Sequence, residues 1–199
     1  MKHCLALLCI LCCFSAAGIQ AESSKQVMEK VAKRLVAGTS LQGHFAQEKH
    51  LAFLQKPFVS SGNFRIDRSA GLHWQVLDPL ASLMVVDGTK VLLDGQPVAD
   101  HGVGQLMGLI MFALMEDRLD TVADHFSITG EVSSRQWALS LQPLSRRLKS
   151  VLQHIELRGD EYLREIEIFE RDGNRTMIVL SGLRAFSADT SGPNANSIP

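Results

Sequence analysis

The spacing of apolar residues along this chain changes period, and the changes mark its elements. Val27, Met28, Val31 and Leu35 recur at helical intervals. Ser23 or Ser24 is placed to cap the first turn and Gly38 to follow the last. A helix of about four turns is predicted there. Its remaining surface carries Lys30, Lys33 and Arg34.

From Leu41 the period becomes two. Leu41, Gly43 and Phe45 alternate with polar neighbours. After a break at Gln55-Lys56-Pro57, residues Phe58, Ser60, Gly62, Phe64 and Ile66 share one strand face, opposite mostly polar partners. Leu72, Trp74 and Val76 form the apolar side of the next strand, which Pro79 interrupts. Ser82 to Val86 and Lys90 to Leu93 are joined by Asp87-Gly88, a strong hairpin turn, and Asp94 to Pro97 turns again.

Val103 to Met115 breaks the alternation, with Gln105 as its only polar residue. A helix apolar nearly all round is either buried on most sides or covers something greasy. Its methionines suit a surface that accepts variable apolar ligands, although such helices are more often plain core. A brief helix is predicted over Leu119 to Ala123. Period two then resumes in Phe126–Val132, Gln136–Leu141, Val151–Leu157, Tyr162–Phe169 and Thr176–Leu180, with a basic connection over Pro143–Lys149. Strands joined by short turns predominate. Such a meander curls into a barrel or half-barrel because sheets twist and edges are costly, and the helices fit against its concave face.

The N-terminus belongs to none of this. Lys2 precedes an apolar run from Cys4 to Ala17, and a small-residue stretch ends at Ala21. This reads as a secretory signal peptide over residues 1–21, with Gly18 as a second cleavage position. All four cysteines, Cys4, Cys9, Cys12 and Cys13, fall inside it. Cleavage therefore leaves no disulfide, thiolate nucleophile or thiolate metal site. Cys13 follows Cys12 rather than a small residue, which argues against lipidation. A single domain spans 22–188, and the polar, Pro- and Gly-containing segment 189–199 reads as a disordered tail.

The 199 residues are 46% hydrophobic and 21% charged, a globular composition, and the net charge is −1. That balance argues against a nucleic-acid partner and against strong electrostatic attachment to anionic membranes. The histidines make no metal-ligating pattern, and neither a Gly-x-Ser-x-Gly elbow nor a phosphate loop occurs. Glu165 and Glu167 share one strand face and read as its wet side rather than a catalytic pair. No enzyme, cofactor or metal is expected.

Several stretches together resemble the outer-membrane lipoprotein carrier (LolA-like) family. They are Leu41–Lys49, Lys56–Phe64, Gly71-Leu-His-Trp74, Pro79 through Asp87-Gly88, and the late Ile-Glu-Ile-Phe-Glu-Arg-Asp-Gly hairpin. The resemblance implies an α+β, β-dominated fold: an incomplete antiparallel β-barrel with helices as a lid over an apolar cavity that shelters acyl chains in the periplasm. It places Phe45, Phe64, Ile66, Trp74 and Val76 on the sheet side of the cavity. Leu106, Met107, Ile110, Phe112 and Leu114 fall on the lid side. In the family an Arg-Pro pair before the Trp motif latches the lid. Arg68 falls in that place here, with Ser69 instead of Pro.

The implied cargo is acylated: a lipoprotein, or a lipid of glycolipid or aryl-polyene type, since the Lys56–Gly62 and Gly71–Trp74 wording looks closer to such paralogues. The implied partners are an inner-membrane donor and an outer-membrane acceptor, for a monomeric carrier. Two other readings compete. One is a binding or chaperone-like domain without a lipid cavity, and the other is a hydrolase acting on lipid.

Overall fold

A computed structural model of the chain describes residues 23–36, 40–67, 69–87, 90–98, 102–115 and 119–186. The predicted signal peptide and tail, and the caps or turns expected at Gly38 and Gly88, lie outside the described residues.

The first half comprises α1 (Ser24–Ala32), β1 (Ser40–His50), β2 (Phe58–Asp67), β3 (Gly71–Asp78), β4 (Ser82–Asp87), β5 (Lys90–Leu93) and the two-residue β6 (Gln96–Pro97). Helices α2 (Gly102–Met115) and α3 (Leu119–Ala123) follow. The second half is β7 (Phe126–Val132), β8 (Trp137–Pro143), α4 (Arg146–Val151), β9 (Leu152–Gly159), β10 (Leu163–Glu170) and β11 (Arg175–Phe186).

All eleven strands belong to one sheet, in the order β6-β5-β4-β3-β2-β1-β11-β10-β9-β8-β7, and every pairing is antiparallel. The first long strand and the last are central neighbours, aligned from Ser40↔Phe186 to His50↔Arg175. Two meanders run outward from that seam, so β6 and β7 form the edges and the barrel stays incomplete. The segment between β6 and β7 must return from one edge to the other. It does so as α2 and α3, with α2 touching β4 and α3, and α3 touching β7.

One core fills the inner face of the sheet. It takes Phe45, Phe64, Ile66, Leu72, Trp74 and Val86 from one meander, and Ile128, Leu141, Ile155, Leu157, Ile166, Ile168 and Ile178 from the other. The helices add Val27, Val31, Ile110, Met111, Leu114, Leu119 and Val122. Burying this apolar surface drives the chain to curl round its helices.

Three local expectations are corrected. The first helix ends at Ala32, well before Gly38. Arg34 N donates to Val31 O, the Arg34 guanidinium reaches Ser134 O at 3.0 Å, and Val36 N donates to Glu161 O. Distant hydrogen bonds thus draw the chain off the helix. The basic connection contains the helix α4, because the Ser145 hydroxyl accepts from Leu148 N and supplies the cap. The last strand runs past Leu180 to Phe186. Gly182, at φ +59, absorbs a bulge opposite β1, and pairing resumes at Gln42↔Arg184.

Candidate functional site

Strands β1 to β3 build an aromatic cluster on the inner face. Phe64 and Trp74 are direct cross-strand partners, and Phe45 faces Gly62. A Cβ at Gly62 would sit 1.9 Å from Gln75 O and 2.9 Å from the Phe45 ring. Only glycine lets the Phe45 ring lie across β2. There it stacks on Trp74 at 3.9 Å between centroids and 21° between planes, with Phe64 on Trp74 at 5.9 Å. Phe45, Phe64, Ile66 and Trp74 are buried, and Val76 is half-buried against them.

Helix α2 lies against this meander. Ile110, Met111, Ala113 and Leu114 are buried, whereas Leu106 and Phe112 are only half-buried. The side chain of Met107 lies outside the described residues. The approach to β4 is close: a Cβ at Gly108 would fall 2.7 Å from Val86 Cγ1. The described members of the two candidate groups belong to one apolar cluster, and the contact of α2 with the sheet is made at β4. Leu119 and Val122 of α3, which packs on α2 and β7, are buried in the same core, and were absent from the predicted set because a five-residue helix carries too little periodicity.

Arg68 lies outside the described residues. Its neighbours show why Ser69 stands where the family has proline. Asp67 is 3% exposed, and its Oδ1 accepts from Ser69 N at 2.8 Å, Ser69 Oγ at 2.6 Å and Ala70 N at 3.3 Å. Ser40 Oγ donates to Oδ2. A proline at 69 could supply neither of the serine's donors. The Ser69 hydroxyl and N–H, with help from Ser40 and Ala70, outweigh burial and hold the Asp67 carboxyl at a pKa of about 2, below its ordinary 3.8.

A depressed carboxyl pKa means the unfolded state binds more protons in that interval. The stabilisation from Asp67 is therefore present above 3.8 and is lost as pH falls toward 2. Asp67→Asn should flatten the acid limb of a stability–pH curve measured by chemical denaturation. An unchanged acid limb would remove Asp67 from that role.

The outer face is polar. Glu165 and Glu167 share it, as the alternation predicts, yet Glu167 is not wet: it is 4% exposed, between Arg158 and Arg175. Arg158 also pairs with Glu156 and Glu165. These ladders tie β9, β10 and β11 together. Two hollows, of about 420 and 370 Å³, lie along the outer face of β1–β3 and β11 and around β7–β10. The first is lined by Gln42, His44, Asn63, Arg65, His73 and Arg184, among others. Neither is lined by α2 or α3. Among the described residues no cluster of His, Cys, Asp or Glu could hold a metal ion. No helix among them is long and apolar enough to cross a membrane.

Residues 37–190 match the family described as outer membrane lipoprotein carrier protein LolA. The chain belongs to the LolA family. The outer-membrane lipoprotein carrier protein of Dechloromonas aromatica is 28% identical over 150 residues, covering 71% of this chain and 69% of that protein. Among solved structures, a LolA superfamily protein from Nitrosomonas europaea is similar with a TM-score of 0.48 at 10% identity, over 85% of this chain and 96% of that one. The Pseudomonas aeruginosa MucA/MucB complex contains a chain similar at 0.44 and 16% identity, over 83% of this chain and 58% of that one. LolA membership brings a lipoprotein-carrier-like role, and carriers of this family are periplasmic binding proteins rather than enzymes.

Proposed function

We propose that this LolA-family protein carries the acyl chains of a lipoprotein or lipid across the periplasm, from an inner-membrane donor to an outer-membrane acceptor. The observation that carries the reading is a helix, α2, apolar in nearly all its residues, packed on β4 and sharing one core with the aromatic cluster of β1–β3 in a sheet left open between its edges. The acyl chain enters the seam between Phe45, Phe64, Ile66, Trp74 and Val76 on the sheet and Leu106, Met107, Ile110, Phe112 and Leu114 on α2.

Exchange explains how such a carrier both loads and releases. Each buried methylene contributes about 0.8 kcal/mol, so a chain of about fourteen gains roughly 11 kcal/mol. Displacing α2 costs contacts of side chains such as Ile110, Met111 and Leu114, at about 1.5–3 kcal/mol each. The two quantities are comparable. Helix and cargo compete for one apolar surface, and net affinity stays low enough for hand-over. Arg68, beside the Asp67 turn, is the proposed latch for the closed arrangement.

The test is binding of a fluorescent fatty acid, with native mass spectrometry of the purified protein for co-purified lipid. Saturable binding, displaced by an acylated peptide, is expected. If an acylated peptide fails to compete while a free lipid does, the cargo is lipid. Absence of both binding and co-purified lipid leaves α2 as ordinary core and removes the carrier reading.

A further inference from the structure

The strand directions place the connections of the incomplete barrel at two ends, and these ends differ sharply. Residues 51–57, 79–81, 94–95, 124–125, 144–151 and 171–174 gather at the end where His50 pairs with Arg175 and Phe126 pairs with Pro143. The described connections at the opposite end include 69–70, 133–136 and 160–162. At the first end Phe53 is 79% exposed, Leu80 80% and Val151 61%, with Leu54 and Leu144 also exposed. Among the described connections of the opposite end, only Val36 is an exposed large apolar residue.

Cations lie beside these apolar residues: 51–57 holds Lys56 with Phe53 and Leu54, and 144–151 holds Arg146, Arg147 and Lys149 with Leu144 and Val151, all exposed. With Arg171 they face the exposed Asp94, Asp124 and Asp172 in the connections of the same end, which leaves an excess of two positive charges there. The chain as a whole has a net charge of −1, so this local excess is hidden in the total.

We propose that this end of the half-barrel docks onto the surface of an anionic phospholipid bilayer. The apolar residues project from separate loops, and none of them lines either hollow. A protein partner would need a matching hole for each, whereas a bilayer interface accepts scattered protruding side chains. Cations beside them sit at the level of the phosphates, each adding attraction that salt screens. Ala52 N donates to Asn174 Oδ1 at 3.0 Å, and Arg171 N donates to Val151 O at 2.9 Å. Two of the tips, 51–57 and 144–151, are therefore fixed to one another through the β10–β11 turn, and Leu80 projects from a third connection at the same end.

The proposal goes beyond acyl-chain binding and does not depend on it. The test is flotation of the full protein with vesicles of phosphatidylcholine alone, and of phosphatidylcholine with phosphatidylglycerol in equal parts. Binding to the mixed vesicles, weakened by salt, is expected. The double variant Phe53→Ser/Leu80→Ser should lower vesicle affinity about tenfold or more. Arg146→Gln/Arg147→Gln should lower it about fivefold per charge removed. These side chains are exposed, so folding is kept, and fatty-acid binding by the variants should equal that of the parent. No flotation with mixed vesicles, or flotation that survives Phe53→Ser/Leu80→Ser, overturns the proposal. Flotation without fatty-acid binding would leave it standing and overturn the carrier reading instead.

Discussion

Replacing Ile110 with aspartate is expected to weaken fatty-acid binding by about thirtyfold or more, because the site cannot partner a carboxylate. Ile110 is 0% exposed and belongs to the common apolar core. The aspartate must either lie there uncharged or swing α2 away from the inner face. In both cases the seam that would hold an acyl chain is lost. Phe112→Asp, at a half-buried position of the same helix, should have a smaller effect, since its carboxylate can turn partly to water. Circular dichroism should show the sheet retained in both. Fatty-acid titration beside thermal melts separates the roles. A lower melting temperature with unchanged binding would make Ile110 a packing residue alone.

Trp137→Ala should cost about 3–5 kcal/mol of stability, a large share of the roughly 5–15 kcal/mol that holds a domain together. The indole lies 2% exposed against its cross-strand partner Gly159, where a Cβ would come within 2.5 Å of the ring. Its Nε1–H donates to Asp160 O at 2.8 Å, anchoring the turn after β9. Alanine leaves a cavity and an unpaired carbonyl together. At about 2–4 °C per kcal/mol for a chain of this size, the melting temperature should fall by roughly 6–20 °C. Trp137→Phe keeps most of the volume and loses only the hydrogen bond, so it should cost about 1–2 kcal/mol. Trp137 lies in the half of the sheet remote from the aromatic cluster of β1–β3. Fatty-acid affinity should therefore be unchanged in variants that remain folded. A melting temperature within a few degrees of the parent for Trp137→Ala would show that the indole is replaceable.

Much of the architecture was legible because strand and helix periods are properties of the chain itself. Alternation put Phe64, Ile66, Trp74, Leu139 and Leu141 on inward faces, and all are buried. The apolar run Val103–Met115 forms α2 almost as predicted. Element ends were less legible. Whether α1 stops at Ala32 or continues depends on Ser134 and Glu161, about a hundred residues or more away in sequence. Ser69 read as a departure from the family pattern until its two donors were found on Asp67.

Exposure separates what the sequence determined from what the tertiary structure decided. Composition and period give the residue types available to a core and the faces they share. They do not say which apolar residues the sheet runs out of room to cover. Phe53, Leu80 and Val151 look like core residues by type, and end up exposed because they sit in connections between strands rather than on the sheet face that the core fills. Glu167 looks like a wet residue by alternation, and is buried because Arg158 and Arg175 close over it from neighbouring strands. The same holds for Gly62 and Gly108, whose missing side chains matter only because Phe45 and Val86 arrive beside them. The sequence alone determined most of the strands and the apolar helix. Only the folded sheet decided which surfaces face each other, because burial is set by neighbours that are distant in the chain.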